Sequence, residues 1–113
     1  MSWTSEAQRR AVEAVHSGAR DFALILDDGT EYGASRAHGR MGPPQREADG
    51  PWRATNGLVE FPPFGETRSA FVVAVAVYDG AIRLLVAPIG SIAVTERVQV
   101  VLRPGDLMVG LSE

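Results

Sequence analysis

From Leu58 to Leu111 the chain is a succession of strand-length apolar segments cut by tight-turn residues. Apolar runs of this length between Gly and Pro signals form strands, and short turns between them produce antiparallel sheets. Leu58–Phe61 is a short strand that stops at Pro62-Pro63. Ser69–Tyr78 alternates Phe71, Val73, Val75 and Val77 with Ala70, Val72, Ala74 and Ala76. Both of its faces are apolar, so this strand is expected to be central and covered on both sides. Its Ala-rich face invites close approach by another layer, for which an N-terminal helix is the candidate.

Asp79-Gly80 is a hairpin signal of the kind that needs positive φ. Ala81–Ile89 is expected to return, with Ile82, Leu84 and Val86 on one face, before a turn at Pro88–Ser91. Ile92–Leu102 then puts Val94, Val98, Val100 and Leu102 on a core face and Thr95, Arg97, Gln99 and Arg103 on a wet one. Pro104-Gly105 predicts a type II turn, after which Leu107, Val109 and Leu111 close the sheet.

The first half is more varied. Thr4–Ser17 is expected to be helical, capped by Thr4 or Ser5 and stopped by Gly18, with Ala7, Ala11, Val12, Val15 and Trp3 on the packed face. His16 falls at its end, where a cation suits the helix dipole. Asp21–Leu26 predicts a strand, Asp27-Asp28-Gly29 a turn, and Thr30–Tyr32 a returning partner. Residues 33–57 carry repeated Gly and Pro and are expected to form a long irregular loop or arm. This segment holds Arg36, Arg40, Arg46, Trp52 and Arg53, residue types that commonly anchor interfaces, and these are the candidate partner contacts.

At 113 residues the chain is expected to be a single β-rich domain, with a helix over 1–18, the loop over 33–57 and a scaffold over 58–113. The expected fold class is mainly β, an antiparallel β-sandwich or small barrel with one short N-terminal helix.

The chemistry that would mark an enzyme is sparse. There is no Cys, so neither a disulfide nor a thiolate metal site can form. His38 lies in the loop without a second His or a spaced carboxylate, so no metal site is expected. No phosphate-binding, dinucleotide or serine-hydrolase motif occurs. No catalytic residue, cofactor or metal is therefore assigned, and the chain is not expected to be an enzyme. A net charge of -3 gives no electrostatic case for nucleic acid or an anionic membrane. The polar start, with Glu6, Gln8, Arg9 and Arg10, does not suggest a signal peptide, and no apolar run is long enough to span a bilayer as a helix. All eleven basic residues are Arg, a choice that fits both GC-rich coding and bidentate pairing at interfaces.

Several features occur in an order that resembles a family of short minor tail or tail-fibre structural proteins of long-tailed bacteriophages. They are the short N-terminal helix, Ala23-Leu24-Ile25-Leu26 running into Asp28-Gly29-Thr30-Glu31, and Trp52 before Thr55-Asn56 and Val59-Glu60-Phe61-Pro62. They continue with a long apolar strand ending in Tyr78-Asp79, Leu84-Leu85 leading to Pro88, and Gly105-Asp106 before Leu107-x-Val109-x-Leu111. The resemblance implies a non-enzymatic virion protein, a minor tail or tail-tip component. Such a protein would be assembled in the bacterial host cytoplasm and would pack against copies of itself and other tail or capsid proteins. A head-decoration protein that stabilises the capsid is the alternative within this class. From another class, Arg103-Pro104-Gly105-Asp106 is similar to a turn between cupin barrel strands, which would imply a small-ligand module or enzyme. The His-x-His and Glu cluster on which cupin metal chemistry rests has no counterpart here.

Overall fold

A computed structural model describes residues 4–32 and 36–110 of the chain. Among them, helix α1 (Ser5–His16) precedes eight strands: β1 (Gly18–Leu26), β2 (Ala37–Met41), β3 (Arg53–Thr55), β4 (Val59–Glu60), β5 (Ala70–Asp79), β6 (Ile82–Val94), β7 (Val101–Leu102) and β8 (Met108–Gly110). The fold is mainly β, with one antiparallel sheet in the order β2-β1-β5-β6 and two short pairs, β3-β8 and β4-β7. The expectations for Trp3, Gly33 and Leu111 fall outside the described residues.

The C-terminal half folds back on itself as one nested ribbon. Its tip is the two-residue turn Gly80-Ala81, flanked by the pair Asp79 and Ile82. Only Gly80 has positive φ, at 60°, so the turn lies one residue later than Asp79-Gly80 and has Gly at its first central place. The predicted turn at Pro88–Ser91 does not form. β6 runs on to Val94, and the surplus residues bulge out, since Ala74 pairs with Pro88 while Val72 pairs with Ile92. The Gly and Pro there relieve a ladder rather than end it, because the partner β5 is apolar and continuous beyond that point. Further out, Val59 pairs with Leu102, and Ala54 pairs with Val109, so the ribbon extends to both ends of 53–110.

Within the expected loop, residues 36–57 are less irregular than predicted. They contain β2 and β3, and a further bridge joins Gln45 to Arg53. β2 was obscured by its composition, with Ala37 and Met41 buried and His38 and Arg40 exposed. Gly39 between them is required by packing: a Cβ there would lie 2.7 Å from Val59 and 2.9 Å from the Phe22 ring. The predicted strand Ile92–Leu102 is also interrupted, since β6 ends at Val94 and β7 begins at Val101. Its pattern nevertheless holds: Val94, Val100 and Leu102 are buried, while Thr95, Arg97, Gln99 and Arg103 are exposed.

The core lies on one face of the main sheet. Phe22, Leu24 and Leu26 from β1 meet Val72, Val75 and Val77 from β5, with Met41, Val59, Phe61 and Phe64 closing over them. Tyr32 stacks on Phe64 at 5.4 Å between ring centroids, and its hydroxyl donates to Pro62 O at 2.5 Å. The opposite face carries a small cluster of Ala23, Ala76, Tyr78 and Ile25. β5 is central, as expected, but the helix does not cover its Ala-rich face; α1 packs on β3 and β8 instead.

Helix α1 begins where Thr4 Oγ1 accepts from Ala7 N at 3.1 Å. Glu6 lies in the first turn, and hydrogen bonds from Arg9 and Arg10 hold its carboxyl down at about 2. Its buried line is Gln8, Val12 and His16, rotated from the predicted Ala7–Val15 face, and Val15 is 40% exposed. The rotation has a polar cause, because Gln8 Oε1 accepts from Trp52 N at 2.8 Å. The cation at the helix end is Arg20 rather than His16: its guanidinium donates to Val15 O at 2.7 Å. Burial, and secondarily the charge of Arg20, push the His16 pKa below the usual histidine value. In the unfolded chain His16 gains a proton near pH 6.5, before the folded protein accepts one. Its contribution to stability is therefore complete above that pH and is lost as pH falls toward the folded pKa. Thermal melts from about pH 7 to about pH 5 should show a steeper decline for the wild type than for His16→Gln. Equal slopes would remove His16 from the account.

Candidate functional site

The predicted contact residues separate into two regions. Arg46, Trp52 and Arg53 come together beside the helix. A hairpin brings them there: Gln45 and Arg53 exchange backbone hydrogen bonds at 2.8 Å, and Gly50 N donates to Glu47 O at 2.7 Å at the tip. Ser5 Oγ accepts from Trp52 Nε1 at 2.9 Å and from Arg46 Nη1 at 2.8 Å. The Arg46 guanidinium also lies over the Trp52 ring at 5.0 Å. Trp52 and Arg46 thus fasten their hairpin to the first turn of α1, and their polar groups are engaged within the chain. Arg53 is exposed on β3, with one guanidinium nitrogen 3.2 Å from Met108 Sδ. Gln45, Arg46, Glu47, Arg53, Thr55 and Met108 border an open groove of about 390 Å³.

Arg36 and Arg40 lie elsewhere. Arg36 pairs with Glu31 at 3.1 Å and covers the Tyr78 ring at 3.5 Å, on the sheet face opposite the core. Arg40 is exposed on β2, and its carbonyl accepts from Gly57 N at 2.8 Å. The fold does not unite all of 36–53 as a single contact arm.

On the same outer face His38 Nδ1 meets an Asp21 carboxylate oxygen, and the imidazole is largely exposed. Among the described residues no three His, Cys, Asp or Glu side chains gather closely enough to hold a metal ion. No described helix is long and apolar enough to cross a membrane.

The most unusual surface is one that the sequence did not single out. β6 forms an outer edge of the main sheet, and among the described residues its only backbone ladder is with β5. Most of its residues are exposed, including Ile82 at 66% and Val86 at 45%. Leu85, Ala87 and Ile89 turn inward against the core. The apolar pattern of Ala81–Ile89 was legible, but a local pattern carries no information on which strand ends outermost. No family model, curated protein or solved structure matches the chain.

Proposed function

We propose that the chain is a structural subunit of a bacteriophage particle, a minor tail or tail-tip component that works by packing against other particle proteins and copies of itself. The observation that carries this reading is the open edge of β6. An edge strand of 13 residues with exposed Ile and Val side chains is suited to being covered by another chain. Globular proteins commonly blunt such edges with charge, Pro or bulges; here Pro88 and two bulges interrupt the edge, but no charged residue occurs from Leu84 to Thr95. The ordered resemblance to tail proteins supplies the kind of particle. The extended body, 50 × 23 × 22 Å, suits a subunit that bridges neighbours. The role requires no catalysis.

The test is location. Mass spectrometry and gold labelling of purified particles from the phage that encodes the chain should find it at the tail. Signal at the head would transfer the role to capsid decoration. Absence from particles, with the protein present in the lysate, would overturn the proposal.

A further inference from the structure

We propose that the free edge of β6 is a joint between two copies of this chain, formed by antiparallel pairing of β6 with β6. The inference rests on the assembly reading above and names the partner of that surface.

The two edges of the main sheet differ. At the β2 edge, Gly42 N donates to Thr55 O at 2.7 Å, Gly57 N donates to Arg40 O at 2.8 Å, and Met41 bridges to Asn56. That edge is closed from within the chain along Arg40–Gly42, and the rest of β2 is only three residues long. At the β6 edge, the N–H and C=O groups directed away from β5 have no backbone partner among the described residues. Unpaired backbone groups of an edge strand recognise another strand, whatever its sequence.

The occupant is argued from what a second copy can offer. β1 and β5 are internal, β2 is short and closed at its Arg40–Met41 end, and the short pairs contribute strands of only two or three residues. The long strand with a free edge is β6 itself. Charge selects the direction of pairing. Arg83 stands at the start of β6, and Glu96 lies just past its end. An antiparallel pair sets Arg83 of each copy beside the other's Glu96-Arg97 end, where a carboxylate is within reach, whereas a parallel pair sets Arg83 beside Arg83 with no carboxylate near. Between those ends there is no charge to bury.

The surroundings fit a second strand. A groove of about 540 Å³, mostly apolar but with Asp106 on its wall, runs alongside the edge, between Ala87–Ile92 and Val101, Leu107 and Met108. Side chains of a strand laid along β6 would enter it. Exposed Val86 and Ile92 would be covered at the same time. The bulges near Leu84 and Gly90, and the missing amide of Pro88, break the ladder at fixed places and so pin its register. A strand edge about 40 Å long and about 10 Å deep offers roughly 400 Å² before the groove is counted. Stable dimers bury about 800 Å² per partner, so the free chain should dimerise at micromolar rather than nanomolar concentration. A two-fold joint occupies both free edges, so assembly through this surface stops at two copies.

Sedimentation of the full chain from about 1 μM to about 1 mM tests the joint, since that range spans the expected dissociation constant. The wild type should pass from monomer to dimer. Val86→Lys and Ile92→Lys should each raise the dissociation constant at least about tenfold. The melting temperature should change little for Val86→Lys, 45% exposed in the monomer, and more for Ile92→Lys, 37% exposed, so Val86→Lys is the cleaner variant. Arg83→Glu and Glu96→Arg should each weaken the dimer several-fold, and the double exchange should restore it. Amides of β6 should gain hydrogen-exchange protection as concentration rises. A dimer indifferent to both Lys variants would overturn the β6 joint and leave self-association through another surface. A chain that stays monomeric throughout would also overturn it, while a tail location in purified particles would still uphold the assembly role.

Discussion

Replacing Asn56 with leucine is expected to destabilise the protein by about 2–5 kcal/mol, because it strips the partner from one buried backbone N–H and from two part-buried carbonyls at once. Asn56 is 2% exposed. Its Oδ1 accepts from Leu107 N at 2.7 Å, and its Nδ2 donates to Gly57 O at 2.7 Å and Arg103 O at 2.9 Å. Its own backbone completes the clamp, with Asn56 N donating to Leu107 O at 3.1 Å and Asn56 O accepting from Gly105 N at 3.0 Å. One side chain thus replaces the ladder that the type II turn at Pro104-Gly105 interrupts between β7 and β8. Leucine keeps the branched shape with bulkier ends and removes every polar side-chain atom, so the loss reports missing hydrogen bonds and some crowding rather than a cavity. Asn56→Asp provides the contrast. It keeps the acceptor for Leu107 N but sets a carboxylate against two carbonyls, so its deficit should shrink as pH falls and the carboxyl gains a proton. Urea unfolding of the three proteins at neutral and acidic pH measures both effects. A deficit below about 0.5 kcal/mol for Asn56→Leu would show that the clamp carries little stability.

Gly39→Ala is expected to cost about 1–3 kcal/mol through overpacking. The added methyl would sit 2.7 Å from Val59 Cγ2 and 2.9 Å from Phe22 Cε1, and both of those side chains are fully buried. Neither neighbour is the loose end of a flexible side chain: Val59 lies in the β4-β7 pair and Phe22 in the middle of the main sheet. β2 must therefore move away from β1 or β4 must lift. Truncating the neighbour should relieve the clash, so Gly39→Ala with Val59→Ala should be less destabilised than the sum of the two single changes. Additive losses in thermal or urea unfolding would show that the strands yield without contacting Val59.

The parts of the fold that were legible in the sequence are those written in local patterns. The unbroken apolar run at Ser69–Tyr78 specified a central strand, and alternation from Val94 to Leu102 specified which side chains face inward even where the strand itself is interrupted. The type II turn at Pro104-Gly105 formed as its residues predict, with Asp106 N donating to Arg103 O at 3.0 Å and Gly105 at φ 87°. What was not legible depends on distant partners. β2 alternates inward Ala37 and Met41 with outward His38 and Arg40, but it has Gly39 where the inward pattern needs an apolar side chain, and only Phe22 and Val59 explain that glycine. The rotation of α1 follows from a bond between Gln8 and Trp52, which no helical periodicity encodes. For the candidate contacts the same limit applies. Arg46 and Trp52 have the residue types of interface anchors, yet a hydroxyl at Ser5, 41 and 47 positions away, engages them within the chain. The exposure of β6 depends on strand order in space, which the sequence of the strand itself does not carry.

The nested ribbon has a consequence for the order of events in folding. Each pairing outward from Gly80-Ala81 closes only the short loop left by the one before it, so a ribbon of long-range contacts can form through a series of small entropic steps. The β3-β8 pair belongs at the end of that series, and α1 docks on that pair. The helix thus leaves the ribosome before the whole ribbon and is among the last elements to find its place, since its seat includes Met108–Gly110. The kinetic signature is a division of labour along the ribbon. Substitution at the Asn56 clamp should act chiefly on the rate of unfolding and leave the rate of folding nearly as it was.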